Sequence, residues 1–276
     1  MKQVKTILSG CGSLSRAVCS TTLICSKQIF DGGFLCVAGG YVVQIVQFIM
    51  LTFIWKTLAS TNALPANVSL GQLMTYTLMS AVLHQELNII SPATSSLWEG
   101  SIIGRFLRPM AIEASFISET IGRFWVPNFL FLGIPLLLFA PVLSVSPLPA
   151  SFRMGILSLI SLLLAICIGF AIDLLFASLA MNLKNGCFAA LAVREAVYSL
   201  LSGEMIPFSL FPQKLGTLFS LLPLGSVAHG PLTIYTGTAH FPYRVLALQF
   251  FWTVILWAFA IYVFNKSKER MISFGG

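Results

Sequence analysis

The ionisable side chains inside long apolar stretches are the residues of this chain best suited to chemistry. Asp173 lies at the inner end of one apolar stretch, and Glu204 lies where another is interrupted by glycine and proline. A carboxylate within such a stretch typically marks an ion or substrate path, or else a buried charge pair. For Asp173 both interpretations stay open, because Arg194 or Lys184 could serve as its structural partner.

The spacing of the potentially catalytic residues does not favour an enzyme. His84, His229 and His240 are scattered, with none of the helical His spacings that hold a metal. The run 202–204, Ser-Gly-Glu, has no neighbouring base that would make its serine a nucleophile, and no two cysteines form a Cys-x-x-Cys pair. The glycine-rich Lys-Ser/Thr loop that cradles nucleotide phosphates is also missing from the sequence. We therefore predict no catalytic, metal-binding or cofactor-binding residue in this chain.

Composition assigns the chain to the membrane class. Of 276 residues, 57% are hydrophobic and only 9% are charged, whereas soluble domains carry about 25% charged residues. A bilayer core about 30 Å thick takes about 20 apolar residues per helix. The chain therefore has room for six spans and little else, which predicts an all-α integral membrane fold in a single domain, 1–276. The net charge of +7 suits an anionic membrane surface, and so apolar a chain is not expected to bind nucleic acid.

Six apolar stretches are predicted to cross the membrane. Pro127, Pro135 and Pro141 would kink the third span, which neighbouring helices tolerate. Arg194 interrupts the fifth span, and the fourth helix is expected to continue beyond its span to Met181. The predicted spans are 32–55, 70–90, 124–143, 154–172, 188–208 and 245–264.

The segments between and around the spans have distinct predicted roles. The N-terminal segment 1–31 mixes apolar residues with Ser, Thr and Lys, which favours an amphipathic helix over 5–30 on the inner membrane surface; a frayed cytoplasmic tail is the alternative. Segment 203–240 is broken by proline and glycine, which favours an external re-entrant helix pair over one straight span. Twelve Lys and Arg residues fall in the predicted inner segments and four in the outer ones. This asymmetry places both termini in the cytoplasm of a cell expected to hold the protein in its inner or plasma membrane.

The loop 91–111 between the second and third spans contains the densest polar stretch. Residues 98–109 carry a glutamate, two arginines, two glycines and a terminal proline between two apolar segments. Such an element is a natural contact for a soluble partner on the cytoplasmic side. In the stretch 112–123, which follows before the third span, Glu119 and Arg123 are four residues apart and can pair on one helix face.

Two segments of the chain resemble permeases of type-2 ATP-binding cassette (ABC) exporters. Residues 99–109, Glu-Gly-Ser-Ile-Ile-Gly-Arg-Phe-Leu-Arg-Pro, resemble the loop after the second span of those permeases. The broken segment after their fifth span is similar to a series of short motifs in this chain: Ser202-Gly203, Ile206-Pro207, Phe211-Pro212, Leu222-Pro223 and 231–237. The resemblance covers nearly the whole chain.

The resemblance implies partners and site residues. A second permease, identical or related, would complete the membrane core, and separate ABC ATPase subunits would bind ATP and Mg²⁺ below it. The alternative explanation of the loop 99–109 is that its arginines anchor the chain at the membrane interface and contact no ATPase. The residues implied to couple to the ATPase are Glu99, Ile102, Ile103, Arg105, Phe106 and Arg108. The candidates for a pathway or gate are Asp173, Glu204, Pro207 and Phe208.

Few charges in the spans favour a hydrophobic or amphipathic substrate, such as a drug, lipid, peptide or glycan-lipid. The main alternative function is an ion-coupled secondary transporter or channel that uses Asp173 or Glu204. That class relies on ionisable residues deep in its spans and often on an internal inverted repeat, and the sequence shows no such repeat by inspection.

Overall fold

The computed structural model describes residues 2–28, 34–62, 64–65, 68–98, 104–105, 107, 110–182 and 187–273. Within these ranges the regular structure is helical and no strand forms, which confirms the predicted all-α class. The helices are α1 Lys2–Lys27, α2 Phe34–Ser60, α3 Leu70–Val82, α4 His84–Leu87, α5 Ala93–Trp98, α6 Ile112–Leu143, α7 Phe152–Asn182, α8 Cys187–Leu201, α9 Gln213–Leu221, α10 Pro223–Val227, α11 His229–Thr236 and α12 Pro242–Ser273.

Four helices in the described part of the chain are long and apolar enough to cross a membrane. They contain the predicted third, fourth and sixth spans and most of the first: Ala38–Ser60, Ile112–Leu143, Phe152–Leu179 and Pro242–Ser267. The stretches predicted as the second and fifth spans form shorter helices, α3 with 13 residues and α8 with 15 residues.

The helix that contains the predicted third span, 124–143, begins before that span. The helix α6 begins at Ile112 and continues without interruption into the apolar stretch. The charged residues that suggested a boundary lie on this helix, and Glu119 pairs with Arg105 of the preceding loop rather than with Arg123 as expected.

Two prolines inside α6 are accommodated by wide turns. Proline lacks an N–H and its ring crowds the carbonyl four residues earlier. The residues before Pro127 and Pro135 are Val126 and Ile134, and each donates its N–H to the carbonyl five residues earlier, closing a π-helical turn. Pro141 falls in the tight final turn, Ala140–Leu143. Such turns keep α6 continuous while changing its course.

Helix α7 is the centre of the described fold, since it packs against α5, α10, α11 and α12. Hydrogen bonds of Gln249, a fully buried residue of α12, reinforce the contact between α7 and α12. Its amide oxygen accepts a hydrogen bond from the Ser161 hydroxyl at 2.8 Å, and its nitrogen donates to the Ser226 carbonyl at 2.7 Å. Because lipid gives apolar helices little reason to associate, such interhelical bonds help to fix the arrangement.

Helix α1, Lys2–Lys27, covers most of the stretch predicted as an N-terminal helix, 5–30, and it packs against the first turns of α6. The Thr22 hydroxyl donates to the Ser118 carbonyl at 3.3 Å. Gly122 allows this close approach, because a Cβ there would lie only 2.4 Å from the Thr22 carbonyl oxygen. The start of α6 is therefore held by α1 on one side.

Candidate functional site

A stripe of polar side chains runs along the chain from α3 to α5. Tyr76, Ser80, His84, Asn88 and Ser91 follow one another at intervals of four, four, four and three residues, close to the helical repeat that aligns side chains on one face. Each makes a hydrogen bond to a partner at least 82 positions away in the chain. The sequence reasoning predicted none of these five as site residues, although their spacing was the signal that could have found them.

Tyr76 and Ser80, the first two residues of this stripe, hold the turn that follows α8 in place. The Tyr76 hydroxyl donates to the Gly203 carbonyl at 2.6 Å, and the Ser80 hydroxyl donates to the Glu204 carbonyl at 2.8 Å. The Glu204 N–H donates to the Ser202 hydroxyl at 3.1 Å. Gly203 has φ +73°, a left-handed conformation that favours glycine. These contacts set the position of Glu204.

Glu204, predicted as a pathway or gate residue, forms a hydrogen-bonded pair with His84. Its Oε1 lies 2.5 Å from Nδ1 of His84, and its side chain is 8% exposed against 34% for His84. A hydrogen bond between an imidazole and a carboxylate gains strength where water is scarce. The pair joins the end of α3 to the break after α8.

Pro207 and Phe208, also predicted as pathway or gate residues, are buried just beyond this pair. The Phe208 ring centroid lies 4.5 Å from that of His229, 5.7 Å from that of Phe219 and 6.1 Å from that of Phe211. The broken segment after α8 therefore has an aromatic core of its own, centred on Phe208.

Close backbone approach completes this aromatic core. A Cβ at Gly216 would lie 2.6 Å from the Phe208 carbonyl oxygen, and one at Gly225 would lie 2.1 Å from the Phe219 carbonyl oxygen. Only glycine permits contacts this short, which gives the glycines predicted to break the segment a packing role.

Asp173 occupies a second polar cluster, deeper in the fold. It is 1% exposed and its Oδ2 accepts a hydrogen bond from the Ser91 hydroxyl, while its Oδ1 has no partner. Among the described residues no basic side chain forms an ion pair with it, although the Arg194 charge acts on it through space. Lys184, the other partner considered, lies outside the described residues.

Arg194 instead pairs with its neighbour. Its Nη1 lies 3.5 Å from Oε2 of Glu195, and its Nη2 donates to the Ile89 carbonyl at 2.5 Å. Both carboxylate oxygens of Glu195 accept from Nδ2 of Asn88, at 3.0 and 3.1 Å. The polar stripe thus supplies one partner to each of three carboxylates: His84 to Glu204, Asn88 to Glu195 and Ser91 to Asp173.

A cavity of about 220 Å³ lies beside the His84–Glu204 pair. Helix α2 contributes Gln44 and Gln47 to its wall, the α3–α4 region contributes Ser80 and His84, and α8 contributes Tyr198. Glu204 lines it as well, whereas Asp173 does not. The structure therefore brings Glu204 to a cavity and places the other carboxylate candidate elsewhere.

Of the six residues implied to couple to the ATPase, Arg105 lies within the part of the chain that the structure describes. Its Nη1 donates to Oε2 of Glu119 at 2.6 Å and to the Ser115 hydroxyl at 3.3 Å, and its guanidinium carbon lies 4.9 Å from the centre of the Phe116 ring. Arg105 therefore ties the loop to α6. The remaining implied coupling residues lie outside the described residues: Glu99, Ile102, Ile103, Phe106 and Arg108.

Long apolar helices, a broken helical segment and buried carboxylates define a multispan membrane protein. Residues 41–275 match the family described as ABC-2 family transporter protein, and the chain belongs to that family. It is accordingly a permease, the membrane component of a transporter, in a class without an ATPase site of its own. The resemblance found in the sequence is confirmed. The chain matches none of the curated proteins and none of the solved structures with which it was compared.

Proposed function

We propose that this chain is the permease subunit of an ATP-driven exporter. Together with a second permease, identical or related, it forms the translocation path, and separate ABC ATPase subunits holding ATP and Mg²⁺ drive it. The observation that carries this proposal is family membership over 41–275. The proposal includes the predicted topology, with six spans, a re-entrant segment on the outer side and both termini in the cytoplasm.

A continuous set of contacts supports coupling between the loop and the interior. The loop residues around 99–108 would contact the ATPase, and Arg105 ties this loop to α6 through Glu119. Farther along α6, the fully buried Asn128 donates its amide N–H to the Val82 carbonyl at 3.1 Å. Val82 ends α3, two residues before His84.

This set of contacts ends at the His84–Glu204 pair beside the cavity. Helix α6 is bonded to the loop through Glu119 and to the end of α3 through Asn128. A displacement of the loop would therefore be carried by α6 to the break after α8. There Glu204, Pro207 and Phe208 would serve as pathway or gate residues for a hydrophobic or amphipathic substrate.

The decisive experiment is isolation of the tagged chain in mild detergent, with every associated subunit identified by mass. We expect an ABC ATPase and a second permease in the complex, which after reconstitution into vesicles transports substrate when ATP and Mg²⁺ are supplied. A chain that is isolated alone and moves solute along an ion gradient without ATP contradicts the proposal. That outcome identifies an ion-coupled transporter and makes Asp173 and Glu204 its candidate carriers.

A further inference from the structure

The walls of the cavity beside Glu204 contain polar atoms that lack hydrogen-bond partners. The amide oxygen of Gln44 is buried without a partner. The hydroxyl of Tyr198, a residue only 4% exposed, makes no well-formed hydrogen bond although Glu204 and Ser202 lie close to it. Buried polar atoms are almost always satisfied in folded proteins. A bound molecule is one way in which these two atoms can be satisfied.

The cavity wall is acidic. Glu204 and Glu195 both line it, and His84 is the one lining residue of the described chain that can carry positive charge. That imidazole is already engaged by Glu204 at 2.5 Å, and Arg194, which neutralises part of Glu195, is not a lining residue. A molecule that enters the cavity therefore meets an excess of carboxylate.

The surroundings add to this excess. Glu86, Glu195 and Glu204 all act electrostatically on His84, and Asp173 is buried nearby in contact with the polar stripe. In this region the described chain holds four carboxyl groups, Glu86, Asp173, Glu195 and Glu204, against one guanidinium and two imidazoles, Arg194, His84 and His229. Uncompensated charge is costly in a medium of low dielectric constant, and a cationic guest lowers that cost.

The same walls are also apolar enough for an organic ion. Phe48 and Leu51 line the cavity with the ring of Tyr198, and aromatic faces attract quaternary ammonium groups and similar cations. A volume of about 220 Å³ far exceeds that of a bare metal ion. In addition, no group of three His, Cys, Asp or Glu side chains in the described residues is arranged to hold a metal.

We propose that this cavity binds a small organic cation, with Glu204 and Glu195 as the counter-charge and Tyr198 against its apolar part. This proposal also names the substrate class as an amphipathic cation, and in that respect it rests on the proposed exporter function. Gln47 and Met205 line the cavity and are exposed, so the cavity is reached from the protein surface.

The test uses the purified complex in nanodiscs and two probes of similar size and opposite charge, benzylammonium, whose N–H groups can donate to the Gln44 oxygen, and benzenesulfonate. We expect saturable calorimetric binding of the cation and none of the anion. Glu204→Gln and, separately, the more exposed Glu195→Gln should each weaken cation binding by roughly tenfold, the change expected when about 1.4 kcal/mol of interaction is lost. Glu113→Gln, on α6 and away from the cavity lining, removes an equal charge and should leave binding unchanged.

The outcomes separate this inference from the proposed function. Equal binding of both probes, or wild-type cation binding in a folded Glu195→Gln complex, overturns the cation site even when the ATPase is present and transport is ATP-driven. A chain that never assembles with an ATPase overturns the exporter proposal, whatever it binds. If Glu204→Gln fails to yield a monodisperse complex, Glu195→Gln decides the question.

Discussion

His84 and Glu204 lie 120 positions apart in the chain, and their side chains meet with Nδ1 and Oε1 separated by 2.5 Å. This pair joins the end of α3 to the turn after α8, and the cavity lies directly beside it. The contacts from Arg105 to Glu119 and from Asn128 to Val82 lead towards it along α6. We therefore expect its strength to affect both the stability and the function of the permease.

The His84–Glu204 pair should show strong energetic coupling. In a double-mutant cycle with His84→Gln and Glu204→Gln, we expect an interaction of about 1–3 kcal/mol, because loss of the imidazole leaves the buried Glu204 carboxylate without its partner. Reversible unfolding in nanodiscs measures it. In the control cycle, His84→Gln with the distant Glu113→Gln should be additive within about 0.5 kcal/mol. Additivity in the first cycle would show that the two side chains do not stabilise each other.

The link between Arg105 and Glu119 should govern coupling to the ATPase. Arg105→Glu places two like charges together, and we expect ATP-driven transport to fall by roughly tenfold, equivalent to about 1.4 kcal/mol. The exchanged variant, Arg105→Glu with Glu119→Arg, restores the attraction and should recover most of the transport. If the exchange fails to recover it while ATPase binding is also lost, Arg105 acts as a direct ATPase contact instead.

Gly122 should be essential for the contact between α1 and α6. A Cβ at this position would lie 2.4 Å from the Thr22 carbonyl oxygen and 2.9 Å from the Cβ of Cys25. We expect Gly122→Ala to lower the free energy of unfolding by about 1–3 kcal/mol, the usual cost of overpacking. Gly71→Ala is the matched control, since no atom lies within 4 Å of a Cβ there. Equal melting temperatures for the two variants would contradict the close contact.

Asp173 should act in the structure and not in the transport path. It is buried against Ser91 and does not line the cavity. We therefore expect Asp173→Asn to keep most ATP-driven transport, with or without a proton gradient across the vesicle membrane. Transport assays with an uncoupler measure this directly. Loss of transport in both Asp173→Asn and uncoupled wild type would instead favour the ion-coupled alternative.

Phe208 should be the main anchor of the broken segment. Phe208→Ala removes a ring that is 3% exposed, and we expect a loss of about 3–5 kcal/mol, as for other buried aromatic residues. Phe251→Ala on α12 is the control, because that ring is 53% exposed and should matter much less. Thermal unfolding of both variants in the same nanodiscs gives the comparison, and similar losses would argue against an aromatic core at Phe208.

Local residue patterns were enough to predict where helices form. The apolar stretch at 154–172 and its continuation to Met181 became α7, Phe152–Asn182, since backbone hydrogen bonds and lipid contact depend on residues close in sequence. The glycine and proline breaks after Leu201 were predicted for the same reason. The helix of the third span begins at Ile112, ahead of the predicted span 124–143, because charged residues such as Glu119 can remain helical when another segment supplies their partner.

The sequence by itself determined that this protein belongs in a membrane, that it is helical and that its chain resembles a permease. These properties follow from composition, local hydropathy and two segments of contiguous residues. Only the tertiary structure decided that Glu119 pairs with Arg105, that Arg194 pairs with Glu195, and that Glu204 meets His84 beside a cavity. A helix depends on neighbours three or four residues away, whereas a charge pair depends on which helices pack together.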